Sequence, residues 1–272
     1  MRLSVAKKDG LSREMIIRSL TDALRPLPYV HALWEGGAAA FNRVDAWSDI
    51  DLYVVVEDGM VPPTFEAIEN VLTALSPIQI RHEVSWPAPS GIFQRFYRLE
   101  NASEFLLVDL AVLKVSAPDK FLVREIHGDA VFHFNKRGAV SIPPLDQEAF
   151  VRGLLDHRKR LVERMELFGP FVDKELRRGN PLEALEFYRA LVLPSLVEAL
   201  RIRYGPRHYD FRMRYVYREL PPELVRRLER LAFVADTNDL ETKNREAAAW
   251  FRTEIQKVDE TEIRRLVSGI SK

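Results

Sequence analysis

The chain has 272 residues, 47% hydrophobic and 29% charged, the composition of an ordinary globular protein with one large or two modest domains. It has no cysteine, which excludes disulfides, zinc–thiolate sites and thiol nucleophiles. Its net charge of zero argues against generic binding to nucleic-acid backbones.

The opening stretch MRLSVAKKDGLSREM lacks the apolar centre of a signal peptide. No apolar run approaches the ~18 residues of a membrane span, so a cytoplasmic chain without a membrane partner is expected. Residues 11–24 carry Met15, Ile16, Leu20 and Leu24 at helical spacing, with Ser12 as N-cap and Pro26 and Pro28 beyond the end. A strand over 31–35 follows and runs into Gly36-Gly37. If 38–41 begins a helix, its free N–H groups can face an anion, and the glycines let the backbone approach a ligand closely.

The next segment, residues 48–56, reads Ser-Asp-Ile-Asp-Leu-Tyr-Val-Val-Val. In a strand, side chains alternate between faces. Asp49 and Asp51 therefore share one face, about 7 Å apart along the strand, while Ile50, Leu52, Val54 and Val56 share the other, which suits burial under helices. Two acids at the mouth of an apolar strand call for a cation, and oxygen ligands suit Mg²⁺ beside substrate phosphates. Residues 64–75 predict a helix after Pro62-Pro63. Residues 78–86 predict a half-exposed strand, 94–99 another, and 131–134 an edge strand. Between the last two, residues 105–113 predict an apolar strand with a lone acid, Asp109, at its centre. An unpaired buried carboxylate is strongly destabilising, so Asp109 is expected beside Asp49 and Asp51, sharing their cation.

Gly37-Ala38, Ser48-Asp49-Ile50-Asp51-Leu52, with eleven residues between Gly37 and Asp49, and then Asp109 make a pattern that resembles the nucleotidyltransferase superfamily, the fold of polymerase-beta-like enzymes and aminoglycoside nucleotidyltransferases. Two positions depart from its pattern: Ala38 stands for the motif serine and Asn42 for a common glycine. The resemblance implies a transferase that moves a nucleoside monophosphate from an NTP, expected to be ATP, to an acceptor hydroxyl with pyrophosphate release. Asp49, Asp51 and Asp109 are its implied catalytic and metal-ligating residues for one or two Mg²⁺ ions. Gly36, Gly37, Ala38 and Ser48 are its implied nucleotide-binding residues.

From residue 145 the pattern lengthens to helical periods. Helices are predicted over 146–168 with Asp146 as cap, 181–204 with a kink at Pro194, 221–233 and 240–267. The expected architecture is α+β: a mixed sheet with helices over residues 1–144, then an all-α bundle over 145–272. The first 150 residues hold 15 basic and 20 acidic side chains, the remainder 25 and 20, a mild asymmetry that would suit an NTP. Arg158 and Lys159 are candidate triphosphate contacts. The basic and aromatic run at 204–218 could stack on bases or form an ordinary connector, and the connector is favoured. Glu186, Phe187, Tyr188 and Arg189 resemble helical domains of small-molecule nucleotidyltransferases.

The sequence favours a small-molecule acceptor, for which the resemblance implies aminoglycoside-like chemistry, with a monomeric or homodimeric enzyme and no nucleic-acid partner. The alternatives are a nucleotide-binding or regulatory protein of the same fold, which Ala38 favours, and a transferase acting on protein or RNA.

Overall fold

A computed structural model describes residues 10–269. Most of the stretch read for a signal peptide, residues 1–9, lies outside the described residues. The chain divides between Pro144 and Leu145 into two compact units, the first α+β and the second helical. No helix among the described residues is long and apolar enough to cross a membrane.

The first unit runs α1 (Arg13–Leu24), β1 (Val30–Glu35), α2 (Gly37–Ala40), β2 (Ile50–Val56), α3 (Val61–Leu75), β3 (Ile78–Val84), β4 (Ile92–Leu99), β5 (Val108–Lys114), α4 (Arg124–His127) and β6 (Val131–Asn135). Ser12 caps α1 by accepting from the Met15 N–H. Helix α3 starts before its prolines rather than after them, because Pro62 and Pro63 sit in the first turn, where no backbone N–H is needed. The six strands form one sheet in the order β3-β4-β5-β2-β1-β6. Strands β2 and β5 are parallel and every other neighbouring pair is antiparallel. Both edges are thin. β3 is exposed or half-buried throughout and carries Arg81 and Glu83, charges that discourage edge pairing.

Alternation divides the sheet into two faces. Ile50, Leu52, Val54 and Val56 of β2 pack under helices as the sequence predicts, and Val108, Leu110 and Val112 of β5 join them under α1 and α3. The other face buries Ala32, Trp34, Val55, Ile92, Ala111 and Leu113 against Ala117, Leu122 and Val140. Asp51 and Asp109 belong to this second face. Strand β5 begins at Val108, three residues later than predicted. The Ser103 hydroxyl accepts from the Phe105 N–H at 3.3 Å, the Leu106 N–H bonds the Ser103 carbonyl, and Phe105 remains 46% exposed, edge-on to Trp47. Asp109 is therefore the second residue of its strand, not its centre.

The second unit runs α5 (Gln147–Phe168), α6 (Phe171–Arg177), α7 (Pro181–Phe187), a π-helical turn (Tyr188–Val192), α8 (Leu193–Tyr204), α9 (Val216–Glu219), α10 (Pro222–Ala232), α11 (Thr237–Gln256) and α12 (Glu260–Ser268). Helix α8 is the buried axis: Leu193, Leu196, Val197, Leu200 and Ile202 all lie in the core. The single helix predicted over 181–204 is interrupted before Pro194, because proline removes an N–H and crowds the carbonyl four residues back, a misfit that a wider turn relieves. The helix predicted over 240–267 is two helices. Val258 is fully buried between them, and Asp259 caps α12 by accepting from the Glu262 N–H at 2.8 Å. Asp259→Ala is expected to cost about 1 kcal/mol, measurable as a lower denaturation midpoint at unchanged slope.

Segment 204–218 is the connector that the sequence favours, organised by a residue outside it. Arg201 is completely buried. It donates from Nε to the Arg212 carbonyl at 2.7 Å, from Nη2 to the Arg214 carbonyl, and from Nη1 to Glu219 at 2.8 Å.

Candidate active site

The parallel register of β2 and β5 pairs Ile50 with Val108 and Asp51 with Asp109. Both acids are the second residue of their strands and both lie on the same sheet face, so their backbones are one strand spacing apart, about 4.8 Å. Both carboxylates are half-buried. Asp109 also receives a hydrogen bond from the next strand: Gln94 Nε2 donates to Asp109 Oδ1 at 2.6 Å, and Trp86 Nε1 donates to Gln94 Oε1 at 3.1 Å. The indole thereby fixes which way the Gln94 amide points. Burial pushes the Asp109 carboxyl up from 3.8 to about 6; the Gln94 bond opposes the rise and the charges on Asp51 and Asp49 reinforce it.

Asp49 lies one residue ahead of β2 and is exposed. Its backbone is tied down by α1: Arg13 donates to the Asp49 carbonyl and to the Glu35 carboxylate. Glu35 also meets His133 Nε2 at 3.0 Å. Burial pushes Glu35 up, but His133 and Arg13 together hold it below the usual carboxylate range. Nothing in the sequence alone marks Gln94, Trp86 or Arg13 as site residues. Alternation can place Gln94 on the acid face, but nothing local says which strand lies beside it.

The two glycines act on Asp51. The Gly36 N–H donates to the Asp51 carbonyl at 3.0 Å. Gly37 has φ +50°, and a Cβ there would lie 1.9 Å from Asp51 Oδ2. The absent side chain is what leaves room for the carboxylate. Ala38 and Ala39 follow in α2, a single turn. Asn42 adopts φ +52°, a left-handed backbone that asparagine tolerates better than most residues. Ser48 is occupied in its own loop: its hydroxyl donates to Asp45 Oδ1 at 3.0 Å and accepts from the Asp45 N–H at 2.9 Å.

Next to the acids on the same face stands an aromatic wall. Tyr53 stacks on Trp34 with ring centres 5.4 Å apart, and Phe121 packs 5.8 Å from Tyr53 and 6.3 Å from Trp86. A cavity of about 490 Å³ in the first unit lies elsewhere, lined by Arg13, Thr21, Arg25, Glu35 and His133 among others and by none of the three acids.

The expected three-acid cage is not formed: among the described residues no group of three or more His, Asp or Glu side chains is placed to hold a metal ion. The arrangement instead offers a register-paired carboxylate couple with Asp49 at its entrance. That donor set fits Mg²⁺ of the kind bound by one or two carboxylates and completed by substrate phosphates, not a resident ion in an all-protein cage. The mutual repulsion that helps raise Asp109 is what a cation between the two acids would relieve. In the second unit, Arg158 Nη2 donates to the Ile255 carbonyl at 3.0 Å and Lys159 lies 3.9 Å from Glu163.

No protein-family model matches the sequence, and no curated protein matches it. Among solved structures, the chain is similar to the crystal structure of spectinomycin adenyltransferase AAD(9) from Enterococcus faecialis with ATP and spectinomycin. The TM-score is 0.37 and the identity 13%, over 89% of this chain and 100% of that one. A likeness at that level does not establish a common fold.

Proposed function

We propose that the protein is a metal-dependent nucleotidyltransferase that moves a nucleoside monophosphate, AMP from ATP in the first instance, to the hydroxyl of a small molecule. The observation that carries this reading is the in-register pair of Asp51 and Asp109 on parallel strands, with Asp109 raised to about 6. A Mg²⁺ shared by this pair and the triphosphate would neutralise charge on the transferring phosphoryl group and on the departing pyrophosphate.

The remaining steps belong to the chain's own side chains. Gln94 takes Asp109 Oδ1, which leaves Oδ2 to face the cation or the acceptor proton. As an ionised carboxylate facing the acceptor, Asp109 is suited to take that proton as a general base. The proton passes to Asp109 as the acceptor oxygen bonds to the α-phosphorus and the bond to pyrophosphate breaks. Asp51 is held in place by Gly36 and given space by Gly37. Asp49, on a backbone anchored by Arg13, reaches the same charge from the solvent side. The zero net charge supports a small acceptor over RNA.

The test is pyrophosphate release from each NTP with Mg²⁺ against pooled hydroxylated small molecules. Release that stops on chelation supports the reading, and Asp49→Asn is expected to slow it at least tenfold. A second reading, nucleotide binding without turnover, is favoured by Ala38 at the motif serine position. It predicts heat of ATP–Mg²⁺ binding with no pyrophosphate over hours. Neither binding nor release would reject both.

A further inference from the structure

The sheet face that carries the acids is covered unevenly. Its buried part runs from Trp34 of β1 to Ile92 of β4 and is packed by Ala117, Leu122 and Val140. The rest of β4, with β3 beside it, is open. Gln94, Phe96 and Arg98 alternate on this face of β4, and His82 and Ile80 of β3 stand opposite Phe96 and Arg98. Gln94 and Phe96 are half-buried, while His82, Arg98 and Ile80, the last at 51%, are exposed.

This open surface begins at Asp109. The antiparallel register sets Phe96 directly opposite Asp109, which places their Cβ atoms about 5 Å apart on one face. The His82 ring lies 6.4 Å from the Phe96 ring on the side away from the acid. The order of strands fixes which substrate comes here. Gly36, Gly37 and Asp51 lie on the β1–β2 side of Asp109, and Phe96 lies on the β4 side. With the triphosphate at the glycines and Asp51, the acceptor approaches over β4.

Charge narrows what the acceptor is. Strands β3 and β4 hold three arginines. Arg81 and Arg95 lie on the helix-covered face and pair with Glu69, Arg95 also with Glu83. Arg98 lies on the open face, and no ion pair to it is formed among the described residues. Neither strand places an Asp or Glu on that face, so its own charge suits an anion and offers a cationic acceptor nothing.

We infer that Phe96 and Arg98 form the acceptor subsite and that the acceptor is a phenol carrying a carboxylate, its ring on Phe96, its carboxylate at Arg98 and its hydroxyl at Asp109. This inference rests on the nucleotidyl-transfer reading. Arg98 is two residues beyond Phe96, about 7 Å along the strand, a span that a para-substituted ring bridges. Phenols ionise at about pH 10, so their proton passes to a carboxylate far more readily than that of an aliphatic alcohol. In the transfer that proton goes to Asp109, the phenolic oxygen bonds to the α-phosphorus of ATP, and the bond to pyrophosphate breaks.

The experiment offers the full chain three acceptors: para-hydroxyphenylpropanoate, para-hydroxycyclohexylpropanoate and tyramine. Pyrophosphate release with ATP and Mg²⁺ gives kcat and KM, and calorimetry without nucleotide gives binding. The phenolic acid is expected to exceed both other probes at least tenfold in kcat/KM and to bind most tightly. Arg98→Gln should abolish its advantage over tyramine. Phe96→Leu should abolish its advantage over the cyclohexanol, through KM rather than kcat. Arg98 is exposed, so its variant decides the matter should Phe96→Leu fail to fold. Binding of the phenolic acid that Arg98→Gln weakens tenfold, with no release from any acceptor, would support the subsite and reject nucleotidyl transfer. Release from aliphatic hydroxyls without preference for the phenolic acid would overturn the inference and leave nucleotidyl transfer standing. Equal binding of the three probes, or an undiminished preference in Arg98→Gln, would also overturn it.

Discussion

Asp109→Asn is expected to make the protein more stable and much less active. The Asp109 carboxyl, moved from 3.8 to about 6, is about 3 kcal/mol harder to ionise in the fold than in the unfolded chain. Because the folded value is the higher one, the favourable contribution of the protonated form is complete below pH 3.8 and lost as pH rises through 6. At pH 8 the wild-type protein therefore carries an ionised, desolvated carboxylate that the variant lacks. The Gln94 bond survives, because the asparagine carbonyl can still accept from Nε2. Urea unfolding should show the two proteins equal near pH 4 and the variant ahead by up to about 3 kcal/mol at pH 8. Pyrophosphate release should fall by about 10³-fold, within the range for loss of a general base. A variant less stable at pH 8 would mean that Asp109 is not held in an unfavourable state, and unchanged release would remove it from the chemistry. Greater stability with lost activity is the pattern expected where a site works against its own fold.

Gly37→Ala is expected to act through Asp51. The new methyl group would sit 1.9 Å from Asp51 Oδ2 and 2.5 Å from its carboxyl carbon, far inside van der Waals contact. Asp51 is too short to bend around it, so the carboxylate must leave its rotamer. The left-handed backbone adds about 1–2 kcal/mol for any residue with a Cβ. Thermal unfolding should therefore drop by only a few degrees, while pyrophosphate release falls at least 10²-fold through misplaced charge. Asp51→Asn should lose as much activity without the stability loss, and combining the two substitutions should lose little more than either alone, since both disable one carboxylate. Additive losses would show that Gly37 serves something other than Asp51.

The parts of this site that a single sequence exposes are those set by neighbours along the chain. Alternation alone puts Ile50, Leu52, Val54 and Val56 under helices and turns Asp51 to the opposite face, and Ser12 and Asp146 are visible as caps because capping is decided within four residues. The pairing of Asp51 with Asp109 needs the register of two strands nearly sixty residues apart, which only sheet assembly decides. Gln94 and Trp86 are hidden for the same reason. The centre of the 105–113 run is misread because Phe105 and Leu106 look like strand residues, while the Ser103 turn that excludes them is a weak local signal. In the second unit, the buried Val258 completes a helical apolar pattern across 240–267, and the Asp259 cap behind it is the only mark of a break. Arg201 shows the converse: a charge inside an apolar helix, intelligible only once carbonyls from another segment surround it.

The wide turn at Tyr188–Val192 has a consequence for everything after it. Such a turn holds one residue more than an α-helical turn, so the helix beyond it is rotated by about 100° relative to an uninterrupted continuation. At its start, Tyr188 directs its hydroxyl to the Leu231 carbonyl, and beyond it Arg201 faces the carbonyls of Arg212 and Arg214. The two anchors keep their bearings only because the extra residue sets the angle between them, which makes five residues the gearing of the whole helical half.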